Sequence, residues 1–216
     1  MTAASPILRT GRKFDQVLAG ARDVFMADGF EGASVDDIAR AAGVSKATLY
    51  SYFPDKRLLF MEVAQTECTC MADRIVEMID ETRPAREVLH FTATQVIAFL
   101  VSDFAQQVFR ICVAEKERFP ELARTFYQAG PETGRLRISD YLEKAVARGE
   151  LQIDDIPMAA EQFSELCKTR LWSRAVFGVQ SEFTKEEIDE VAAYTTEMFM
   201  ARYGVRSALT ANHPDT

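Results

Sequence analysis

The chain has 216 residues and a net charge of −8, and 48% of its residues are hydrophobic, so it can bury a sizeable core. No apolar run approaches the roughly 20 residues that a membrane-spanning helix needs, so no membrane partner is expected. The first residues, MTAASPILRTGRK, lack the apolar segment and cleavage site of a secretory signal. A cytoplasmic location is therefore expected.

Apolar residues recur at intervals of three and four along nearly the whole chain, as in amphipathic helices. Glycines and prolines separate these segments, and Ser34, Ser45 and Thr184 stand at positions typical of N-caps. The predicted helices cover about residues 12–28, 35–42, 46–53, 55–80, 84–100, 103–116, 120–148 with an interruption at 130–134, 157–177 and 185–203. The sequence therefore predicts an all-α fold of about nine helices.

The second and third predicted helices are joined by a tight turn at Gly43, which is the arrangement of a helix-turn-helix. Glycine suits this turn because it adopts the left-handed conformation that ends a helix. Ile38, Ala42, Val44 and Leu49 are expected to fill the seam between the two helices.

The remaining side chains of the third helix must then face solvent or a groove. They belong to Lys46, Ala47, Thr48, Tyr50, Ser51 and Tyr52. A recognition helix enters the major groove of DNA with its N-terminus first, hydroxyls suit phosphate oxygens, and a lysine can reach a guanine edge. The alternative is an ordinary helical hairpin with a polar surface, because the seam pattern also occurs in other helical proteins.

The acidity of the chain is confined to its later part. Residues up to Arg57 carry 8 basic and 7 acidic side chains, whereas residues from 58 onward carry 17 basic and 26 acidic ones. The beginning of the chain is therefore close to neutral, which permits contact with phosphate without demanding it.

The stretch SVDDIARAAGVSKATLYSYFPDKRLLF, residues 34–60, resembles the DNA-binding signature of TetR/AcrR-type transcriptional regulators. The preceding run, ARDVFMADGFEGASV, is similar to the segment that leads into the second helix in that family. A later stretch, residues 109–151, resembles the subgroup with AefR-like C-terminal domains.

The resemblance implies a DNA-binding domain of three helices at residues 1–56. A long fourth helix would join it to a ligand-binding and dimerisation domain at residues 57–216. The resemblance also implies roles for single residues. Lys46, Ala47 and Thr48 would face bases. Phosphate contacts would come from Ser34, Val35, Tyr50, Tyr52 and Lys56, with Ser45 and Ser51 beside them. The chain departs from the family at Ala47, where many relatives have glycine, and its methyl group could touch a thymine methyl.

Two further surfaces are candidates in the later helices. An apolar ligand pocket is predicted at Met71, Ile75, Met78, Phe99, Phe109, Phe126, Phe163 and Trp172. A dimer interface formed by the eighth and ninth helices is predicted at Phe163, Leu166, Arg170, Val176, Phe177, Val191, Thr195, Met198 and Phe199. The alternative for both sets is that the residues only form the core of one chain.

Catalytic and metal chemistry find no support in the sequence. The cysteines at 68, 70, 112 and 167 lack the spacing of a zinc or redox motif, and the chain has only two histidines. Reduced core thiols are the expected state, with redox sensing as the alternative. No nucleophile elbow, P-loop or dinucleotide fingerprint is present, so no catalytic residue, metal or cofactor is predicted, and no enzyme.

The resulting hypothesis is a sequence-specific DNA-binding transcriptional regulator. In its most specific form, it is a homodimeric repressor that a small apolar effector releases from a double-stranded DNA operator. One alternative is an activator, or a regulator without an inducer. A second alternative, from a different class, is a helical binding module or enzyme with a degenerate hairpin.

Overall fold

The structure, a computed structural model, describes residues 11–80 and 82–205. Its helices are α1 (Arg12–Gly32), α2 (Val35–Ala41), α3 (Lys46–Tyr52), α4 (Lys56–Met78), α5 (Ala85–Leu100), α6 (Asp103–Glu115), α7 (Pro120–Tyr127), α8 (Thr133–Ala147), α9 (Ile156–Leu166), α10 (Leu171–Val176) and α11 (Lys185–Tyr203). A π-helical turn, Gln128–Glu132, joins α7 to α8. No strand occurs in the described ranges apart from an isolated bridge between Leu151 and Gly204, so the all-α prediction is confirmed.

Two of the predicted helices are each divided into two, which explains why the described chain has more helices than the sequence predicted. The seventh is interrupted by the π-helical turn, which contains Pro131. Proline has no N–H to donate and widens the helix at this point. The eighth is broken after Leu166, where no glycine or proline marks a break.

The break between α9 and α10 is a tight turn centred on Arg170. This residue has φ 67° and ψ −56°, and the N–H of Leu171 donates to the carbonyl of Thr169 at 2.7 Å, as in a classic γ-turn. The hydroxyl of Thr195 in α11 donates to the carbonyl of Leu166 at 3.2 Å. A partner distant in sequence therefore takes up a carbonyl at the end of α9, and local periodicity does not reveal it.

The chain folds into two compact units, each with its own core. Of the described residues, unit 1 contains 11–71 and Ser102–Glu132, and unit 2 contains 72–80, 82–101 and 133–205. This division differs from the predicted boundary at residue 56, because α6 and α7 return to pack in the unit that holds α1–α3. The functional assignment of residues 1–56 and 57–216 stays a prediction.

Unit 1 is built around aromatic rings. The ring of Phe60 packs on Phe25, Phe30 and Phe104 with centroid distances of 5.0, 5.2 and 5.8 Å. At the other end of α1, the Phe14 ring stacks on Phe53 at 5.6 Å. These contacts join α1, α4 and α6 into one core beneath the predicted DNA-binding hairpin.

Unit 2 packs α5 against α11 and α8 against α9. In its core the ring of Phe199 lies 5.3 Å from Phe163 and 4.8 Å from Tyr203. The hydroxyl of Tyr203 donates to Gln162 at 2.6 Å, which satisfies its polar end. The predicted N-cap at Thr184 is confirmed, and the side chain of Glu187 completes a capping box there.

No single helix in the described residues is long and apolar enough to cross a membrane.

The cysteines are all unpaired thiols, and three of the four are buried. Burial raises the pKa of Cys68, Cys112 and Cys167 to about 12 in each case, because an apolar environment disfavours the thiolate. The prediction of core thiols is therefore confirmed for these three. It is wrong for Cys70, which lies on the exposed face of α4.

A close crossing of α1 and α2 generates the first testable prediction. A Cβ on Gly20 would lie 2.5 Å from the backbone nitrogen of Ala42. Gly20→Ala should therefore force the helices apart and lower the free energy of unfolding by about 1–3 kcal/mol, measured by urea denaturation. Gly134→Ala is the matched control, since no atom lies within 4 Å of its added methyl. Equal effects of the two substitutions would contradict the close crossing.

The cysteine environments generate a second prediction. Iodoacetamide at pH 8 should modify Cys70 in the folded protein and reach the three buried thiols only after unfolding, as peptide mass mapping can show.

The raised pKa of the three buried thiols also sets the direction in which stability changes with pH. The folded state holds these protons longer than the unfolded chain, so stability should fall as pH rises from about 8.5 to about 12. Rapid native labelling of Cys167 would contradict the burial.

Candidate nucleic-acid interface

The hairpin begins at Ser34, the N-cap of α2. The Ser34 hydroxyl accepts the N–H of Asp37 at 3.0 Å and donates to the Asp37 carboxylate. Arg40 also donates to that carboxylate, at 2.6 Å. The hydrogen bond from Ser34, and then that from Arg40, hold the pKa of Asp37 below its usual value. The first turn of α2 is therefore locked by its own side chains.

The turn between α2 and α3 is a Schellman motif. The N–H of Gly43 donates to the carbonyl of Arg40 at 3.1 Å, and the N–H of Val44 donates to that of Ala39 at 3.0 Å. Gly43 has φ 63°, which confirms its predicted left-handed conformation. A Cβ at this position would meet no atom within 4 Å, so only the backbone conformation favours glycine there.

Helix α3 is held by a cap and by the buried residues at its contact with α2. Ser45 accepts the N–H of Thr48 at 3.1 Å, and the two hydroxyls lie 2.9 Å apart. Leu49 is buried together with Ile38 and Ala42, as the sequence predicted, and Val44 is half-buried. Their burial turns the opposite face of α3 outward.

The outward face of α3 contains four of the ten residues predicted to contact DNA. Lys46, Ala47, Tyr50 and Ser51 are exposed, and Tyr50 has 49% of its surface accessible. Thr48 and Tyr52 are half-buried, and so is Val35 of α2. The rings of Tyr52 and Phe14 pack edge to face with their centroids 5.7 Å apart, so part of the Tyr52 side chain belongs to the core.

Two contacts of the basic residues were not visible in the sequence. The ammonium of Lys46 lies 2.5 Å from the carboxylate of Asp36 in α2, and both side chains are more than half exposed. The ammonium of Lys56 donates to the carbonyls of Phe30 and Ala33, at 2.7 and 3.0 Å. It also lies 4.4 Å from the centre of the Phe30 ring. Lys56 therefore binds the end of α1, and a phosphate contact would have to use its remaining N–H.

The chain matches two domain families. Residues 17–63 match the N-terminal domain of bacterial regulatory proteins of the tetR family. Residues 87–205 match the C-terminal domain of AefR-like transcriptional repressors. The chain belongs to the TetR family. It is a DNA-binding transcriptional regulator and not an enzyme, and the proposed subgroup is confirmed.

Individual TetR relatives agree with this assignment. The crystal structure of a TetR-family regulator from Mesorhizobium loti MAFF303099 is 30% identical, covers 90% of this chain and 98% of its own, and has a TM-score of 0.76. The flavonoid-responsive regulator FrrA is 36% identical, with coverages of 92% and 100% and a TM-score of 0.68.

The regulator YdeS of Bacillus subtilis strain 168 is 30% identical over 139 residues, which are 63% of this chain and 66% of YdeS. This match thus spans just under two thirds of that curated relative. TetR-family regulators bind operator DNA and act as dimers with small-molecule effectors.

The residues of the predicted TetR-type ligand pocket are distributed over both units. Met71, Phe109 and Phe126 belong to unit 1, and Ile75, Met78, Phe99, Phe163 and Trp172 belong to unit 2. Phe163 is fully buried in the core of unit 2. Met78, which was predicted to line the pocket, is the last residue of α4 and has 63% of its surface exposed.

The predicted interface residues divide into two groups. Phe163, Val191, Thr195 and Phe199 are buried in the core of unit 2, as the alternative held. Arg170, Phe177 and Met198 are exposed, while Leu166 and Val176 are half-buried. The sequence missed an open groove of about 530 Å³ between α9 and α11. It is lined by Met158, Glu161, Gln162, Glu165, Leu166, Met198, Phe199, Arg202 and Tyr203.

The turn conformation generates a third prediction. Gly43→Val should destabilise the hairpin and weaken DNA binding, because a β-branched residue at positive φ is strained by at least about 1–2 kcal/mol. Gly43→Asn should be tolerated better, since asparagine enters this conformation more easily. Denaturant unfolding and duplex binding would measure both effects. Equal losses in the two variants would show that the left-handed conformation does not decide the effect.

Proposed function

We propose that this TetR-family regulator is a repressor whose dimer binds a near-palindromic operator and leaves it when a small apolar effector binds. The observation that carries the DNA-binding part is the outward face of α3, where Lys46, Tyr50 and Ser51 lie exposed opposite a buried seam. The match to AefR-like repressors supports repression over activation. Binding to chromosomal operators would take place in the cytoplasm.

The proposed contacts follow the geometry of helix-turn-helix proteins. The N-terminal part of α3 would enter the major groove, with Lys46, Ala47 and Thr48 toward the base edges. Ser34, Val35, Ser45, Tyr50, Ser51, Tyr52 and Lys56 would surround it at phosphate positions. Lys46 would exchange its ion pair with Asp36 for a base edge, so Asp36 competes with DNA for the same ammonium. An exposed pair contributes only about 0–1 kcal/mol, which makes the exchange feasible.

Dimerisation is proposed through the groove between α9 and α11. Its rim exposes Met198 to 60%, and the neighbouring Tyr194 and Met158 are also exposed. Glu161 and Glu165 lie on one wall and Arg202 on the other. A two-fold axis that places the α9 wall of one protomer against the α11 wall of its partner also places α11 against α9, so carboxylates of each protomer can meet a guanidinium of the other. Two recognition helices would then reach half-sites about 34–36 Å apart.

The effector is proposed to be a small apolar molecule. FrrA is described as flavonoid-responsive, and its 36% identity over nearly the whole chain supports an aromatic effector class here. A ligand that releases the operator must bind the DNA-free conformation more tightly. Bound operator must then weaken the ligand by the same factor. Effector affinities measured with and without saturating operator therefore decide whether the ligand is an inducer.

The DNA contacts generate a fourth prediction. Lys46→Ala should weaken binding to an operator selected from random duplexes by about 1–3 kcal/mol and should relax base preference, because a base-edge contact is lost. Tyr50→Phe should weaken operator and shuffled duplex about equally, since a phosphate contact carries no base information. Fluorescence anisotropy in a salt series measures both effects.

Lys185→Ala controls for the loss of one positive charge on a helix outside the hairpin. Equal losses on operator and shuffled duplex in Lys46→Ala would reassign this lysine to phosphate. Wild-type binding that does not weaken with salt would contradict DNA recognition by this face altogether.

The groove generates a fifth prediction. Met198→Asp places a buried charge in the proposed interface beside Glu161 and Glu165, so it should convert the dimer to a monomer in sedimentation velocity. Met26→Asp is the matched control, because it adds the same charge at another exposed methionine on α1. A Met198→Asp protein that remains dimeric would place the interface elsewhere.

A further inference from the structure

The short segment Gly29–Ala33, here called the α1–α2 joint, sets the direction in which the DNA-binding hairpin leaves α1. It starts at Gly29, where α1 is kinked with φ 69° and ψ 179°. It ends one residue before Ser34, the cap of α2. The direction of α2 on α1 therefore depends on the conformation of this joint.

Two side chains from distant helices hold the backbone of the joint. Lys56 of α4 binds its carbonyl oxygens at Phe30 and Ala33. Gln107 of α6 accepts the N–H of Phe30 through Oε1 at 2.7 Å. Two carbonyl oxygens of the joint are thus bound from α4, and one of its N–H groups is bound from α6.

Gln107 also lies tightly against the kink itself. A Cβ added at Gly29 would stand 2.9 Å from Nε2 of Gln107, so the amide packs where a side chain at position 29 would otherwise be. Glycine is therefore suited to position 29 for two reasons, its positive φ and the approach of this amide. Gln107 itself is half-buried, as expected for a polar side chain that reaches inward to a backbone group.

We propose that Gln107 is a positioning residue for DNA binding: its hydrogen bond to the Phe30 N–H ties the start of the hairpin to α6. The inference rests on the proposed operator binding. Gln107 need not touch DNA for this role. It selects one conformation of the joint, and that conformation places α2 and α3. Any displacement of α6 would be felt at the joint through this bond.

The test compares two substitutions of similar size. Gln107→Met keeps the packing and loses the acceptor, whereas Gln107→Glu keeps an acceptor oxygen at the same position. The probes are a duplex selected by the wild-type protein from a random-sequence pool and a shuffled duplex of equal length. Amide hydrogen exchange at Phe30 reports the bond directly.

In Gln107→Met, we expect operator affinity to fall about tenfold with shuffled-duplex affinity nearly unchanged, because the phosphate-facing charges are intact. Exchange at Phe30 should accelerate while amides of α5 and α11 stay protected. In Gln107→Glu, Phe30 protection and the ratio of operator to shuffled-duplex affinity should stay near wild type. A generally destabilising substitution would instead lower both affinities together.

Wild-type operator affinity in Gln107→Met would overturn the proposal, and so would equal Phe30 protection in both variants. If Gln107→Met does not fold, amide hydrogen exchange at Phe30 in the wild-type protein and in Gln107→Glu tests the proposal instead. Slow exchange in both proteins supports the hydrogen bond, and fast exchange in the wild-type protein overturns it. A wild-type protein without salt-dependent duplex binding would overturn the proposed function itself. That outcome is separate, because it is seen before any variant is compared.

Discussion

The burial of Leu49 against Ile38 and Ala42 is the contact on which the recognition surface depends. A helix of seven residues such as α3 is not stable in water by itself, so it exists only because its apolar side is covered. Once that side is covered, the opposite side must carry Lys46 and Tyr50. The serine caps and the Schellman turn then set the ends of α2 and α3, so each short helix is determined by its neighbour as well as by its own residues.

The basic residues around the hairpin also have partners within the protein. Lys56 has three N–H groups and uses two of them on the carbonyls of the α1–α2 joint. The ammonium of Lys46 forms an ion pair with the carboxylate of Asp36. In the absence of DNA both ammonium groups are therefore already oriented by the protein. A phosphate contact by the remaining N–H of Lys56 would therefore need little reordering of that long side chain, whereas Lys46 would have to leave Asp36 to reach a base edge.

Unit 2 shows how one set of side chains can serve a core and border a surface. The ring of Phe199 is buried against Phe163 and Tyr203, and Phe199 also lines the α9–α11 groove. Helix α9 ends at Leu166, whose carbonyl accepts the hydroxyl of Thr195 in α11, and the turn at Arg170 follows. The α9 wall of the groove therefore extends along the chain no further than Leu166. A positive φ at a non-glycine residue persists only where the surroundings hold it. Here the N–H of Leu171 donates to the carbonyl of Thr169 across the turn, and the side chain of Arg170 pairs with Glu190.

The sequence by itself determined the all-α class, nearly all helix positions, the caps at Ser34, Ser45 and Thr184, and the side of α3 that faces outward. These features are local, because period, capping and the conformation of Gly43 are set by residues a few positions apart. Only the tertiary structure decided that Gly20 is the close crossing point, that α9 ends at Leu166, and that Lys56 and Gln107 hold the α1–α2 joint. It also decided that Met78 is exposed and that Phe163 is core. These features depend on partners 20 to 80 residues away, and no pattern of neighbouring residues encodes such contacts.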